Sequence, residues 1–302
     1  MEPTFDISYL KAIIIGLIQG VTELFPISSL GHSVIIPGLL GWHSIVNAES
    51  AKEGFYLAFL VGLHVATALA LLWYFRADWV RIIRGFFRTL RTRRIETSDE
   101  RLAWLLVVAT VPAGIMGLLL EHDLRTLLAT PVAASILLTV NGVILAVGER
   151  VRRSQEVHAL AVAHGVTDEG TRRLDTLEFK ESGIIGVSQV FALMAGISRS
   201  GITMVAGLVR GLDHEDAARF SFLLATPIIL AAGIYKIPDF AGTNGSDVRG
   251  QTLVGSLCAG VTAYLAVRFL MRFFETRTLT PFAIYCLVVG ISTTIYFALT
   301  WP

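Results

Sequence analysis

The chain has 302 residues, of which 54% are apolar and only 16% charged, with a net charge of +1 and a mean hydropathy of +0.65. A soluble domain typically carries about 25% charged residues, so this composition excludes an ordinary soluble protein and indicates a polytopic membrane protein. The basic residues lie beside apolar runs and not on one groove-like face, so no nucleic-acid partner is expected. Cys258 and Cys286 both fall within apolar runs, which indicates neither a disulfide framework nor a metal thiolate site.

Apolar runs of suitable length predict six transmembrane helices, each of which needs about 20 residues. The runs are 55–75, 102–120, 132–148, 217–236, 252–273 and 281–300. Two pairs of apolar segments, 11–25 with 33–42 and 183–195 with 202–212, are too short to cross. We interpret each pair as a broken hairpin that enters the membrane and returns to its own side. The sequence therefore predicts one all-α membrane domain over 1–302, with six transmembrane helices and two re-entrant helical hairpins.

The two hairpins resemble each other in sequence. Residues 16–41 can be placed over residues 186–211 without a gap. The identical pairs include Gly16 with Gly186, Gln19 with Gln189, Ser28 with Ser198 and Gly31 with Gly201. Short apolar segments interrupted by Gly or Pro at matching places in two halves predict a binding site at the repeat interface. The halves are expected at about 1–148 and 182–302, joined by a cytoplasmic loop at 149–181.

Basic residues predict which side of the membrane each connection occupies. The connections 76–101, 149–181 and 268–280 carry eight, six and three Lys or Arg residues, whereas 121–131 and 237–251 carry one each. The positive-inside rule then places the first three in the cytoplasm and the other two outside. All five connections can lie on their assigned sides only if both hairpins are re-entrant. The hairpins then approach the midplane from opposite faces, as inverted-topology repeats do. Both termini are then expected outside.

The first hairpin contains a carboxylate within an apolar run. Glu23 follows Gln19 by one helical turn, so both side chains face the same side of the helix. A carboxylate at this depth is costly unless it is paired, bound to a metal or hydrated by a cavity. Glu23 is therefore either a functional residue or the partner of Arg199 in a structural ion pair.

A helix break at Pro26 is followed by two serines and a histidine. The spacing of Ser29 and His32 brings a hydroxyl and an imidazole near each other on a helical turn, an arrangement typical of an activated nucleophile. Ser28 and Ser29 are equally good candidates for N-caps of the next half-helix, and capping is compatible with catalysis. His64, within the first span, is either hydrogen-bonded packing or a ligand.

The second hairpin contains the sequence Gly-Ile-Ser-Arg-Ser-Gly-Ile-Thr at 196–203. Arg199 offers a planar fork of donors suited to phosphate oxygens. A helix beginning near Gly201 would present free N–H groups and a positive dipole end to the same place. Ser198, Ser200 and Thr203 either donate to the phosphate or satisfy the backbone of the hairpin. These features together predict a phosphate site.

With these residues assembled, the chain resembles the undecaprenyl-diphosphate phosphatase family of the BacA/UppP type over nearly its whole length. The motifs that carry the resemblance are TELFPISSLGHS (22–33), GISRSGIT (196–203), FSFLLATP (220–227) and PFAIY (281–285). The pairing of the first two motifs is highly specific, whereas either alone would be weak evidence.

The resemblance implies a membrane hydrolase that converts undecaprenyl diphosphate to undecaprenyl phosphate. This reaction recycles the lipid carrier for peptidoglycan synthesis and confers bacitracin resistance. The resemblance also implies Mg²⁺ or Ca²⁺ as cofactor. It further implies an active site that opens to the outer face of a multi-pass protein in the bacterial plasma membrane. Expected partners are the polyprenyl diphosphate and membrane lipids, with a homodimer as a candidate assembly.

The family match also implies roles for individual residues. Glu23 is expected as a metal ligand or acid–base group, Ser29 as the nucleophile and His32 as its proton-transfer partner. The resemblance implies a diphosphate clamp of Ser198, Arg199 and Thr203, and Arg199 is also a candidate catalytic residue. Ser28, Ser200 and Gly201 are further candidates for substrate binding.

Three residues depart from the family pattern. Tyr56 and Leu60 stand where the family tends to have an acidic residue and a polar one. The family usually has a second carboxylate one turn before Glu23, where this chain has Gln19. An amide coordinates a cation more weakly than a carboxylate and accepts no proton, although Gln19 stays a candidate metal ligand. Two other functions are therefore open: a prenyl-phosphate transporter or flippase, and a phosphatase of another lipid phosphate.

Overall fold

The computed structural model describes residues 7–50, 54–128, 130–162, 172–235 and 249–301. Its α-helices are α1 (Tyr9–Thr22), α2 (Ser29–Leu39), α3 (His43–Ser50), α4 (Gly54–Tyr74), α5 (Arg76–Thr92), α6 (Ser98–Leu128), α7 (Pro131–Val162), α8 (Phe179–Ser188), α9 (Arg199–Val209), α10 (His214–Tyr235), α11 (Arg249–Phe274) and α12 (Thr280–Thr300). Short 3₁₀ helices cover Leu174–Thr176 and Gln189–Leu193. Within the described ranges, the extended structure is an isolated parallel bridge between Arg172 and Leu212.

The membrane-spanning helices confirm the predicted all-α polytopic fold. Five helices (α6, α7, α10, α11 and α12) are long and apolar enough to cross a bilayer. The bent pair of α4 and α5 passes the same criterion together, and counting this pair as one span raises the number to six. The axis turns by 85° between the two helices, and α4 carries the apolar run of the pair. The five long helices and α4 coincide with the six apolar runs of the sequence.

Two helical segments differ from the sequence-based expectation. The predicted loop 149–181 begins as a continuation of α7, which extends to Val162. The connection 76–101 contains the whole of α5, a helix of 17 residues. Both stretches are rich in charge, so a criterion based on apolar runs cannot detect them. Most of the predicted outside connection 237–251, and residues 163–171 of the predicted loop, lie outside the described residues.

Each hairpin consists of two half-helices that are too short to span. The first comprises α1 and α2, of 14 and 11 residues, and the second comprises α8 and α9, of 10 and 11 residues. In each hairpin the second half-helix is N-capped by a serine, whose hydroxyl accepts a hydrogen bond from the N–H of a glycine. These caps are Ser28, on Gly31, and Ser198, on Gly201. The repeat seen in the sequence is therefore also a repeat of local structure.

Small residues allow α1 to approach α11 closely. A Cβ atom added at Gly16 would lie 2.3 Å from the carbonyl oxygen of Gly255, and one added at Gly20 would lie 2.3 Å from that of Ala259. Only glycine fits at these two positions without movement of the backbone. This packing fixes the position of α1, which carries Gln19 and leads directly to Glu23.

An ion pair fixes the beginning of the second hairpin. Arg172 donates to both carboxylate oxygens of Glu181, at 2.8 and 3.0 Å. The hydrogen bonds from Arg172 lower the pKa of Glu181. Deeper in the hairpin, the hydroxyl of Ser182 donates to the carbonyl of Leu105 on α6, so α8 is held against a transmembrane helix.

Candidate active site at the junction of the hairpins

The carboxylate of Glu23 is the centre of the site. It is 7% exposed and accepts hydrogen bonds on both of its oxygens. Arg199 donates through Nη2 to Oε1 at 2.6 Å, whereas Oε2 accepts from the Ser29 hydroxyl at 2.5 Å and from Gln19 Nε2 at 3.0 Å. His64 Nε2 lies 3.4 Å from the same Oε2 atom. The structure thus brings four side chains together around one buried carboxylate.

The positions of Ser29 and Arg199 are equivalent in the two repeats. Ser29 is the first residue of α2, and Arg199 is the first residue of α9. Because both side chains contact Glu23, the N-termini of both half-helices lie within a side-chain length of one point. Helix N-termini carry unpaired N–H groups and a partial positive charge, so two of them favour an anion at this place.

Asn141 on α7 connects the two hairpins. Its Nδ2 donates to the carbonyl of Pro26 in the first hairpin, and its Oδ1 accepts from the backbone N–H of Ser198 in the second, both at 3.0 Å. A direct link runs from the N–H of Gly196 to the hydroxyl of Ser28 at 3.1 Å. Sequence reasoning missed Asn141, although a buried amide in the apolar run 132–148 was an available signal.

Two predicted phosphate ligands bond to the backbone of the other hairpin. The hydroxyls of Ser198 and Ser200 lie 3.0 Å apart and both donate to the carbonyl of Phe25, at 3.5 and 3.2 Å respectively. These contacts hold the second hairpin against the first. Their role as phosphate ligands stays a prediction.

The other predicted substrate-binding residues of α9 also have contacts within the protein. Thr203 bonds to the carbonyl of Arg199 at 2.8 Å and to the hydroxyl of Ser221 on α10 at 2.6 Å. A Cβ atom added at Gly201 would lie 3.3 Å from that of Pro26, so the absence of a side chain allows the hairpins to approach. Within the described part of the chain, Arg199 is the residue of the predicted clamp whose side chain contacts Glu23.

His32 has partners other than the expected one. Its Nδ1 donates to the carbonyl of Ser28 at 2.7 Å, and its Nε2 lies 2.8 Å from the hydroxyl of Tyr285 on α12. The expected Ser29–His32 pair is therefore replaced by a Ser29–Glu23 pair. The physical reason is helical geometry, because His32 follows Ser28 by four residues and its ring bonds back to that carbonyl.

His64, on α4, also belongs to the site. The sequence left open whether this histidine is a packing residue or a ligand. Its Nδ1 donates to the carbonyl of Leu60 at 2.8 Å, which orients Nε2 towards Glu23. Tyr285 belongs to the PFAIY motif, and no spacing rule connects it to His32. The His64–Glu23 and His32–Tyr285 contacts both depend on tertiary packing between distant segments.

A narrow crevice begins at these polar groups. Its polar end is formed by Gln19, Ser29, His32 and Ser33. The remaining walls are apolar and consist of Ile15, Ile18, Ile36, Pro37 and Trp42. Its enclosed space, about 10 Å³, has room for about one water molecule beside the two Glu23 partners Gln19 and Ser29.

The chain matches the family model described as "Bacitracin resistance protein BacA" over residues 12–292. It belongs to the BacA family. Similar proteins include undecaprenyl-diphosphatase 2 of Frankia alni, at 55% identity over 97% of this chain and 99% of the relative. Undecaprenyl-diphosphatase of Mycolicibacterium paratuberculosis is 56% identical over 98% and 99%, and undecaprenyl-diphosphatase 2 of Burkholderia ambifaria is 44% identical over 92% and 93%.

The donor set around Glu23 fits a divalent cation only in part. Among the described residues, no group of three or more His, Cys, Asp or Glu side chains is placed to hold a metal ion. Mg²⁺ is commonly bound by one or two carboxylates together with phosphates of the substrate. Because Gln19 donates to Glu23 through its nitrogen, its oxygen is left for coordination. This BacA-family site therefore fits a cation that is shared with the substrate, and not a closed protein cage.

Replacing Asn141 by Leu is expected to destabilise the junction. The substitution leaves the Ser198 N–H without its partner, at a cost of about 1–3 kcal/mol, and leaves the Pro26 carbonyl with only a long contact from the Cys286 thiol at 3.9 Å. The thermal unfolding midpoint of the purified protein in detergent should therefore fall. Thr139→Val is the matched control, because that hydroxyl bonds within its own helix to Ser135. Equal midpoints for the two variants would contradict the assigned role of Asn141.

Proposed function

We propose that this protein hydrolyses undecaprenyl diphosphate to undecaprenyl phosphate and inorganic phosphate at the junction of the two hairpins. The observation that carries this proposal is the convergence of two helix N-termini and Arg199 on a single carboxylate that is hydrogen-bonded to a serine hydroxyl. Relatives with 44–56% identity over nearly their full length are named undecaprenyl-diphosphatases. The activity recycles a lipid carrier for cell-wall synthesis and removes the diphosphate that bacitracin traps.

Arg199 is proposed to bind the terminal phosphate. Its guanidinium has five N–H donors, of which one contacts Glu23; within the described residues the others have no side-chain partner and can serve phosphate oxygens. Charge on those oxygens is the main quantity that a phosphoryl-transfer site must stabilise. The N-termini of α2 and α9 add to this stabilisation without any rearrangement.

Glu23 is proposed to accept the proton of the attacking oxygen. In one route Ser29 attacks the terminal phosphorus, its proton passes to Glu23, and the bond to the bridging oxygen breaks. Undecaprenyl phosphate then leaves, and water hydrolyses the phosphoserine. In the other route Glu23 deprotonates a water molecule that attacks the same phosphorus directly. His32 is the second candidate for proton transfer, because it lines the same crevice as Ser29.

A divalent cation, Mg²⁺ or Ca²⁺, belongs to the same proposal. Glu23 and the amide oxygen of Gln19 would hold it, together with phosphate oxygens of the substrate. When bound, the cation supplies positive charge to the phosphoryl oxygens. Because Gln19 is neutral, the protein's own share of the coordination is weaker than with two carboxylates.

The proposed topology places the site towards the outer face of the bacterial plasma membrane. The Arg-rich connections support a cytoplasmic position for 76–101, 149–181 and 268–280. The two hairpins then enter from opposite faces and both termini are outside. The diphosphate would enter from outside, with its prenyl chain left among the helices.

A prenyl-phosphate transporter is the second candidate function, and paired broken helices in two repeats support it. Phosphate binding alone would need Arg199 and the helix N-termini. The hydrogen bond between Ser29 and Glu23, however, is a nucleophile–base arrangement and favours hydrolysis.

Arg199→Ala is expected to reduce phosphate release from undecaprenyl diphosphate by about 100-fold or more, because it removes the main charge that stabilises the transferred phosphoryl group. Arg199→Lys should retain part of the rate, since it keeps the charge but loses the fork. The measurement is inorganic phosphate released by purified protein, with thermal unfolding as the check on folding. Arg153→Ala, at an exposed arginine on α7, is the control. Full activity of Arg199→Ala would reject the assignment.

Substitutions of the two adjacent serines, Ser28 and Ser29, should have different effects on phosphate release and on thermal stability. Ser29→Ala is expected to lower phosphate release by about 100-fold with little change in thermal stability, because its hydroxyl contacts the reactive carboxylate. Ser28→Ala should lower stability by about 1 kcal/mol or more, because its hydroxyl caps α2 and accepts from Gly196. The reverse pattern, with Ser28 essential for turnover and Ser29 dispensable, would overturn the proposed roles.

Removal of divalent cations by a chelator is expected to lower phosphate release, and added Mg²⁺ should restore it. Gln19→Glu should lower the Mg²⁺ concentration needed for half-maximal rate, because a second carboxylate strengthens coordination. Direct Mn²⁺ binding, followed by electron paramagnetic resonance, provides a readout besides turnover. A rate that is insensitive to chelator, with no effect of Gln19→Glu on Mn²⁺ binding, would exclude a cation at this site.

A further inference from the structure

We propose that α5 is a membrane-surface helix that binds the headgroups of anionic phospholipids. It lies outside the junction of the hairpins, and the proposed hydrolysis does not use it. Its first residue follows the 85° bend after α4. Because α4 crosses the bilayer, a helix at nearly a right angle to it runs close to the membrane plane.

One face of α5 is attached to the protein. Ile82 and Thr89 are buried, and a Cβ atom added at Gly85 would lie 3.1 Å from the backbone nitrogen of Glu100 on α6. The indole of Trp104 on α6 donates to the Thr89 hydroxyl at 2.9 Å. Because this face packs against α6, the remaining two faces of α5 have a fixed orientation.

A second face of α5 is apolar and exposed. Four large side chains share it and are between 47% and 64% exposed: Val80, Ile83, Phe87 and Leu90. Their spacing of three and four residues places them in one row along the helix. An exposed apolar row on a helix that runs in the membrane plane is suited to the acyl chains just below the headgroups.

The third face is cationic and adjoins the apolar one. Its members are Arg81, Arg84, Arg88 and Arg91, each one position after a residue of the apolar row. Arg81 and Arg88 contact acidic residues, whereas Arg84 and Arg91 have no acidic partner among the described residues. Residues 76–94 contain seven arginines against one aspartate.

The positive charge of α5 favours anionic lipids as its ligands. Arginine forks bind phosphate oxygens in bidentate fashion, and anionic lipids present such oxygens at the depth where an interfacial helix lies. A second copy of the chain would bring like-charged helices together, which disfavours self-association through this face. The proposed topology places α5 at the cytoplasmic leaflet, whose anionic lipids attract basic segments.

Native mass spectrometry of the detergent-solubilised protein can test this inference. The protein is titrated separately with phosphatidylglycerol and phosphatidylcholine, and bound lipid is counted. Wild-type protein should prefer phosphatidylglycerol. The double variant Arg84→Gln, Arg91→Gln should lose about 30-fold in apparent affinity for that lipid and keep its affinity for phosphatidylcholine. Thermal unfolding and phosphate release should be unchanged, because in the described part of the chain neither arginine contacts the site or an acidic side chain.

Arg272→Gln with Arg277→Gln is the matched control, since it removes two exposed arginines from the neighbouring connection. This control should keep the preference for phosphatidylglycerol. Phe87→Asn should weaken the binding of both lipids, whereas soluble glycerol phosphate should not compete. Equal binding of the two lipids by the wild type, an unchanged preference in the α5 double variant, or an equal loss in the control would overturn the proposal.

Discussion

The structure depends on one ion pair inside the membrane. Glu23 and Arg199 are separated by 176 residues and belong to different repeats, yet their side chains meet at 2.6 Å. A charged group at this depth is very unfavourable alone and becomes tolerable when it is paired and hydrogen-bonded. The pair therefore requires both hairpins to reach the same point, and in doing so it creates a polar site within an apolar protein.

The broken helices place a second demand on the surrounding residues. Unwound backbone in a membrane must find its hydrogen-bond partners within the protein. Asn141 and the two capping serines supply these partners, and glycine at 16, 20 and 201 allows the segments to approach. Ser29 and Arg199 are left to point at Glu23. Side chains that are hydrogen-bonded to the hairpin backbone are therefore structural, whereas those that contact Glu23 are available for chemistry.

Sequence patterns predicted most of the architecture and part of the site. Composition, apolar run length and the internal repeat identified the spans and both hairpins, since these depend on local properties. The alternative reading of Glu23 as the partner of Arg199 describes the observed contact. The approach of His64 and the bridge of Asn141 depend on packing between distant helices, which no local spacing encodes. α5 was missed because its apolar and basic rows alternate along the sequence and mask each other in a hydropathy average.

A double-mutant cycle on Glu23 and Arg199 tests the central claim most directly. Glu23→Gln, Arg199→Gln and the combined variant are compared with the wild type by thermal unfolding in detergent. If the two side chains form a buried pair, each single variant leaves one charge uncompensated, and the combined variant should unfold at a higher temperature than either. If the decreases in unfolding temperature of the two single variants simply add in the combined variant, the side chains do not interact and Glu23 and Arg199 do not form the proposed pair.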